Sequence, residues 1–259
     1  MAESKASTQS SLHSTPDVPI GYVTHHGDNS EYVILGNKKY LKHELMAAFG
    51  GTMNPGVQPY PTNQFANPAP LGLSAFAFTT FVLSMYNAKA MGITIPNVVV
   101  SAACIYGGAI QFLAGVWELA IGNTFGGTAL ASYGSFWLSF SAIYIESFGI
   151  AAAYEDPQMF ENAVGFYLIG WAIVTFMFVL TTSKSTVMFF ALFAFLCLTF
   201  ILLGIGSLTG KEGVTRAGGV VGVITAFLGW YNAFAGVADK TNSYVVVHSL
   251  PLPGNHFHI

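Results

Sequence analysis

Polar side chains recur at helical spacing along the first long apolar segment of the chain. One face of a helix would carry five residues, at offsets of 0, 3, 4, 7 and 11: Phe76, Thr79, Thr80, Leu83 and Asn87. The hydroxyl and amide groups on such a face can hydrogen-bond to neighbouring helices or to a small polar solute that passes along them. The spacing leaves both interpretations open.

The second apolar segment places Gln111 and Glu118 seven residues apart, on one helical face. A carboxylate inside a hydrocarbon layer is costly, so such a residue commonly serves a function. Glu118 also lies close to the end of its segment, where it could reach interfacial water. A functional carboxylate and a solvated one are therefore both open interpretations.

Two prolines stand at the start of the first apolar segment, directly after Asn67 and Ala69. The first N–H groups of a helix have no acceptor within the helix, so proline costs little there and its fixed φ suits the first turn. We expect Asn67 to be the N-cap, with Pro68 and Pro70 as the first and third helical residues. The free N–H groups of this terminus also attract anions, which gives it a second possible role.

These residues lie in a chain of 259 residues that is 53% hydrophobic and only 8% charged. A soluble domain carries about a quarter charged residues, so the composition indicates a membrane protein. No Lys or Arg occurs between residues 90 and 183, which excludes a basic nucleic-acid surface. Six runs are long enough to cross a hydrocarbon core, which takes about 20 helical residues: 71–91, 98–120, 130–150, 163–181, 186–207 and 217–238. We expect an all-α membrane protein with six transmembrane helices.

Histidine, a common catalytic base and metal ligand, is missing from these runs, and no nucleophile-base spacing occurs in them. All seven histidines lie in the polar ends of the chain, before residue 67 or after residue 238. Cys104 and Cys197 each fall inside an apolar run, where small core residues are common. We therefore expect no enzyme, no metal site and no cofactor.

Polarity divides the chain into three regions. We expect a polar cytoplasmic tail over 1–66, with a short amphipathic piece near residues 40–49, then a transmembrane domain over 67–238 and a cytoplasmic tail over 239–259. Positively charged loops stay in the cytoplasm. If the N-terminal tail is inside, six of the nine Lys and Arg residues lie on the inner side. This asymmetry predicts that both termini are cytoplasmic.

Four uninterrupted motifs follow one another through the apolar part: NPAPLGL at 67–73, FLAGVWE at 112–118, GNTFGGTA at 122–129 and SYGSFW at 132–137. With these motifs the chain resembles the acetate uptake transporter family. That family includes bacterial acetate/succinate permeases and fungal plasma-membrane acetate and ammonia transporters. The resemblance covers about residues 65–238, and the long N-terminal tail is similar to that of the fungal branch.

The resemblance implies a six-helix protomer that assembles as a homohexamer in the plasma membrane, each protomer having its own pathway for acetate or a similar monocarboxylate. It also implies that three side chains narrow this pathway: Phe76, Tyr133 and Leu196. We assign the remaining candidates to substrate binding or to the lining of the path: Asn67, Thr79, Thr80, Leu83, Asn87, Gln111 and Glu118.

Three functional hypotheses remain open at this point. The first is movement of acetate together with a proton, with Glu118 as the protonatable helper. The second is export of ammonia or ammonium, which an entrance of carboxylates and aromatic rings would favour, with Glu146 and the acidic loop 155–161 as candidates. The third is a membrane sensor or regulator of the acetate response, whose Ser/Thr-rich tail binds partners.

Overall fold

The structure is a computed structural model that describes residues 23–26, 31–35, 38–48, 65–247 and 250–253. The chain divides into two compact units, Met1–Gln64 and Phe65–Ile259.

The described part of the first unit is a small antiparallel sheet followed by a short helix. Strands β1 (Val23–His26), β2 (Tyr32–Leu35) and β3 (Lys38–Leu41) pair in the order β1-β2-β3, and helix α1 (Lys42–Ala48) follows directly. Residue 33, a valine, is buried, as β-branched residues in a sheet commonly are. The sequence analysis predicted the amphipathic piece near α1 but not this sheet.

The second unit contains six long helical rods among its described residues. They are α2 (Ala69–Asn87), α3 (Asn97–Cys104) continuing through a π-helical turn (Ile105–Ile110) into α4 (Gln111–Ala120), α5 (Thr124–Tyr144), α6 (Pro157–Thr181), α7 (Val187–Thr209) and α8 (Glu212–Val237). Five rods are long and apolar enough to cross a membrane. Helix α5 has 21 residues but is not among the five, because its serines and threonines lower its mean hydropathy.

Several helix starts differ from those expected: α6 begins at Pro157 instead of 163 and α8 at Glu212 instead of 217, and the starts of α2 and α5 differ as well. Helix α2 begins at Ala69 with Pro68 as its N-cap, one residue later than predicted, and Asn67 instead accepts a bond from the Ala69 N–H at 3.0 Å. Helix α5 begins six residues before the predicted position 130, because Asn123 caps it by accepting a bond from the Gly126 N–H at 3.0 Å.

Small residues let the helices approach closely. A Cβ atom added at Gly219 of α8 would lie 2.4 Å from the backbone nitrogen of Ala88, and one at Gly236 would lie 2.7 Å from Cγ of Pro70. Helices α2 and α8 therefore run antiparallel in close contact. We call the end of the bundle that holds Pro70 and Gly236 the tail end, and the end that holds Ala88 and Gly219 the far end.

The described C-terminal residues lie beside the start of α7. The Val187 N–H donates to the Leu250 carbonyl at 2.8 Å, and the Leu252 N–H donates to the Ser185 carbonyl at 2.9 Å. The first of these bonds satisfies the Val187 N–H, one of the backbone donors that the first turn of a helix leaves without a partner in the helix.

Candidate functional site

A large cavity lies among the membrane helices toward the far end. It has a volume of about 420 Å³, and the residues that line it near the far end include Asn87, Asn97 and Glu161. Its opposite side is lined by Phe76 and Leu196. We call this cavity the vestibule.

A second cavity, of about 20 Å³, lies toward the tail end and is called the inner cavity below. Its lining is apolar except for Gln111 and Tyr133, and it shares Phe76 and Leu196 with the vestibule. These two side chains therefore stand between the two cavities.

The three residues expected to narrow the pathway are brought together here from three helices. Phe76 of α2, Tyr133 of α5 and Leu196 of α7 belong to one hydrophobic cluster and are only 4%, 3% and 3% exposed. The centroids of the Phe76 and Tyr133 rings are 5.8 Å apart. We call these three side chains the apolar ring.

Tyr133 is held in the apolar ring by a buried hydrogen-bond chain. Its hydroxyl donates to Thr175 Oγ1 at 3.0 Å, and the Thr175 hydroxyl donates to the Trp171 carbonyl at 2.7 Å. The Tyr133 ring also packs on the rings of Trp171 and Phe178, with centroids 6.1 and 5.8 Å away. The sequence analysis missed Thr175, because a threonine in an apolar helix gives no signal of its partner on another helix.

Helix α2 presents most of its expected polar face to the vestibule. Thr80, Leu83 and Asn87 line it together with Phe76, and Thr80 Oγ1 is buried without a hydrogen-bond partner among the described residues. Thr79 is the exception. Its hydroxyl donates to the Ala75 carbonyl at 2.9 Å, and its side chain packs against the π-helical turn, where a Cβ atom at Gly107 would lie 2.5 Å from Thr79 Oγ1.

Gln111 supplies an amide group to the inner cavity. Its side chain is 0% exposed, and neither its oxygen nor its nitrogen has a hydrogen-bond partner among the described residues. The π-helical turn ends directly before Gln111; such turns add a residue to a helix and are frequent at functional sites. A buried amide without a partner is costly, so Gln111 is ready to bond a polar solute or water.

Glu118 and Asn67 lie at the tail end and line neither cavity. Glu118 is 1% exposed, so it does not reach interfacial water within the protomer. One of its carboxylate oxygens, Oε2, accepts a bond from the Asn123 amide, and the other, Oε1, has no partner among the described residues. Asn67 is exposed, and its side chain accepts the bond from the Ala69 N–H at the start of α2.

Aromatic rings fill the space between the apolar ring and the tail end. Phe125 packs edge-on against Phe178, Phe189 and Phe193, with each pair of centroids 5.7 Å apart. Phe193 also lines the inner cavity. The site is therefore roomy on its far side, where polar side chains interrupt a mainly apolar lining, and tightly packed on its tail side.

The described residues contain no group of three or more His, Cys, Asp or Glu side chains that could hold a metal ion. The described side chains offer hydrogen bonding, charge and apolar contact along the two cavities. A model of the GPR1/FUN34/yaaH family matches residues 49–254.

The chain belongs to the GPR1/FUN34/yaaH family. This confirms the resemblance drawn from the four motifs. The family match and the five apolar helices identify a multi-pass membrane protein.

Relatives and one solved structure extend this comparison. The chain is 61% identical over 230 residues to the ammonia transport outward protein 2 of Saccharomyces cerevisiae, covering 88% of this chain and 82% of that protein. It is 47% identical over 218 residues to the acetate permease A of Emericella nidulans, covering 80% of this chain and 73% of that protein. It is also similar to the structure of the bacterial acetate channel SatP, with a TM-score of 0.65, 32% identity and coverage of 72% and 99% of the two chains.

The hydrogen bond between Tyr133 and Thr175 predicts a coupled effect on stability. Thr175→Val leaves the buried Tyr133 hydroxyl without a partner, which costs about 1–3 kcal/mol in the free energy of unfolding. In a Tyr133→Phe background the same change should cost clearly less, because no hydroxyl is left unpaired. Denaturant unfolding of the purified variants in detergent measures both values.

The matched control for this cycle is Thr182→Val. Thr182 is also buried, and its hydroxyl donates to the Phe178 carbonyl at 2.9 Å. Thr182→Val should lower the free energy of unfolding by the same amount in the unaltered protein as in the Tyr133→Phe background. Equal costs of Thr175→Val in the two backgrounds would contradict the structural role given to this bond.

Proposed function

We propose that this protein moves acetate and related small monocarboxylates across the plasma membrane through the vestibule, the apolar ring and the inner cavity. The observation that carries the proposal is that Phe76 and Leu196 each line both cavities, with Tyr133 beside them. This shared lining supports a path whose narrowest apolar point lies at these side chains, with the aromatic rings on the tail side moving apart when a solute passes. The names of the acetate permease and of the bacterial acetate channel support the substrate class.

Hydroxyl and amide groups guide the substrate on both sides of the apolar ring. Thr80 and Asn87 offer such groups in the vestibule, and Gln111 offers an amide in the inner cavity. The described lining of the inner cavity contains no Lys or Arg. Neutral contacts of this kind are weak, which suits permeation, because a site that binds too tightly does not release its solute.

The apolar ring favours the neutral acid over the hydrated anion. A carboxylate that passes Phe76 and Leu196 would lose water without gaining a charged partner, whereas the protonated acid loses much less. With a carboxyl pKa near ~4.3, only about two parts per thousand of the acid is neutral at pH 7. Acetate therefore crosses the ring together with a proton.

In this proposal the acid takes its proton from water in the vestibule and crosses the ring in the neutral form, and Glu118 is the group proposed to accept the proton behind the ring. Its carboxylate is buried, one of its oxygens is free of described partners, and it lies on the tail side of the apolar ring. A protonatable carboxylate inside a membrane helix is the usual means of relaying protons in transporters. Asn123 positions the carboxylate through its amide and at the same time caps α5.

The outer surface of the described helices is apolar and indicates what surrounds the protomer. Large apolar side chains are exposed on the outside of the described helices, among them Phe166 at 71% and Phe227 at 57%, and they require lipid or neighbouring subunits. We propose a homohexamer in which the transport domain spans 67–238 and both tails, 1–66 and 239–259, lie in the cytoplasm. The far end, with the vestibule, then faces outward.

Ammonium export is the second candidate. Glu161 and Glu212 line the vestibule near the far end, and carboxylates there attract a cation. Glu146, which the sequence analysis assigned to this role, is exposed and does not line the vestibule. The relative named ammonia transport outward protein 2 supports this candidate. The Ser/Thr-rich segment behind the regulator hypothesis lies outside the described residues.

The apolar ring predicts the range of substrates. Leu196→Ala or Phe76→Ala should widen the narrow point and let longer carboxylates compete, lowering the concentration of lactate or succinate that half-inhibits labelled acetate uptake by about tenfold. Uptake by cells that express each variant, with unlabelled competitors, measures this.

Leu198→Ala is the matched control for this experiment. Leu198 lies in the same helix and is 43% exposed on its outer surface, so its competition profile should equal that of the unaltered protein. An unchanged profile in both ring variants would show that these side chains do not set the limiting width.

The proposed role of Glu118 predicts a change in proton coupling. Glu118→Gln keeps the size and the amide contact but removes the titratable group, so the stimulation of acetate uptake by an inward proton gradient should fall at least about tenfold. Proteoliposomes with an imposed pH gradient measure it.

Glu146→Gln is the control, because Glu146 is exposed in the turn after α5. It removes one carboxylate at the far end and should leave the stimulation intact. Full gradient-driven uptake by a correctly folded Glu118→Gln protein would remove Glu118 from the proton path.

A further inference from the structure

One ion pair joins two helices across the far side of the vestibule. The ammonium nitrogen of Lys89 lies 2.7 Å from Oε1 of Glu212, and both residues line the vestibule. Lys89 follows the end of α2, and Glu212 is the first residue of α8. Their side chains are 39% and 61% exposed, so solutes can reach the pair.

The backbone of Lys89 has an uncommon conformation. Its φ of 56° and ψ of 36° lie in the left-handed region, which glycine usually occupies after a helix. A lysine is disfavoured at such a position. The left-handed turn is where the chain leaves α2, and the lysine there supplies an ammonium group that a glycine would lack.

Lys89 is also the one cation among the described residues that line the vestibule. The other charged side chains of that lining are the carboxylates of Glu161 and Glu212. An anion that enters from the far end therefore meets a single ammonium group before it reaches Thr80 and the apolar ring. That ammonium is already bound to a carboxylate of the protein itself.

We propose that Lys89 determines specificity for carboxylates at the entrance of the vestibule, by binding the solute's carboxylate in place of that of Glu212. The inference rests on the proposed transport of monocarboxylates. An ion pair with exposed side chains is weak, so exchanging one carboxylate partner for another costs little. Glu212 is then a competitor that the solute displaces, and Lys89 passes the released solute on to the polar side chains deeper in the vestibule.

A structural brace between α2 and α8 would behave differently. If the ion pair only held the two helices together, loss of either partner would break the same contact and change transport in the same direction. If Glu212 competes with the solute, loss of Glu212 must strengthen binding and loss of Lys89 must weaken it. The signs of the two effects separate these roles.

Saturation kinetics of labelled acetate uptake into proteoliposomes at low ionic strength test the proposal on the full-length protein. Lys89→Gln should raise KM about fivefold with an unchanged maximal rate, and Glu212→Gln should lower KM by a similar factor. The double variant should resemble Lys89→Gln. Added salt should shrink both differences, because it screens exposed charges.

Two further variants keep the test specific. Lys211→Gln removes the same charge one residue from Glu212, at an exposed position outside the vestibule lining, and should leave KM unchanged. Lys89→Arg keeps the charge and should keep KM close to that of the unaltered protein.

Three results would overturn the inference: an equal rise of KM in both single variants, no change in Lys89→Gln, or the same rise in Lys211→Gln. A lack of saturable acetate uptake by the unaltered protein would overturn the proposed function as well. Saturable uptake by the unaltered protein with the same KM in Lys89→Gln would overturn the role of Lys89 alone.

Discussion

The contact among Phe76, Tyr133 and Leu196 is the constraint on which the proposed path depends. The three side chains come from helices that are distant in the chain, and they separate a vestibule of about 420 Å³ from an inner cavity of about 20 Å³. Close packing of α2 against α8 positions Phe76: a Cβ atom added at Gly229 of α8 would lie 3.4 Å from Cδ1 of Phe76 and 3.0 Å from Cβ of Ala77. The bond to Thr175 fixes the position of Tyr133. In the proposed path, a solute passes where these side chains move apart.

Polarity changes in steps along the path. Charged side chains line the far end of the vestibule, and the hydroxyl of Thr80 lies deeper in it. The apolar ring carries no charge. Beyond the ring, the amide of Gln111 lines the inner cavity. On the proposed path, a carboxylate would exchange water for protein groups gradually and would meet its highest barrier at the ring. Protonation of the solute would lower that barrier, because moving a charged carboxylate out of water costs more free energy than moving the neutral acid.

Much of this site could be predicted from the sequence, because motifs and helical spacing are local properties. The spacing placed Phe76, Thr80 and Asn87 on one face, and they line one cavity. It also included Thr79, which turns toward the π-helical turn, because spacing does not say which neighbour a face meets. Tertiary partners gave no local signal: the bond of Tyr133 to Thr175 and the ion pair of Lys89 with Glu212 join segments far apart in the chain.

Acetate flux into proteoliposomes, with the pH gradient and the membrane voltage imposed separately, tests the central claim most directly. If acetate crosses the apolar ring with a proton, an inward proton gradient drives saturable uptake above that of protein-free liposomes, and voltage alone drives none, because acetate and one proton together carry no net charge. Uptake driven by voltage without a pH gradient, or flux equal to that of protein-free liposomes, would contradict the account.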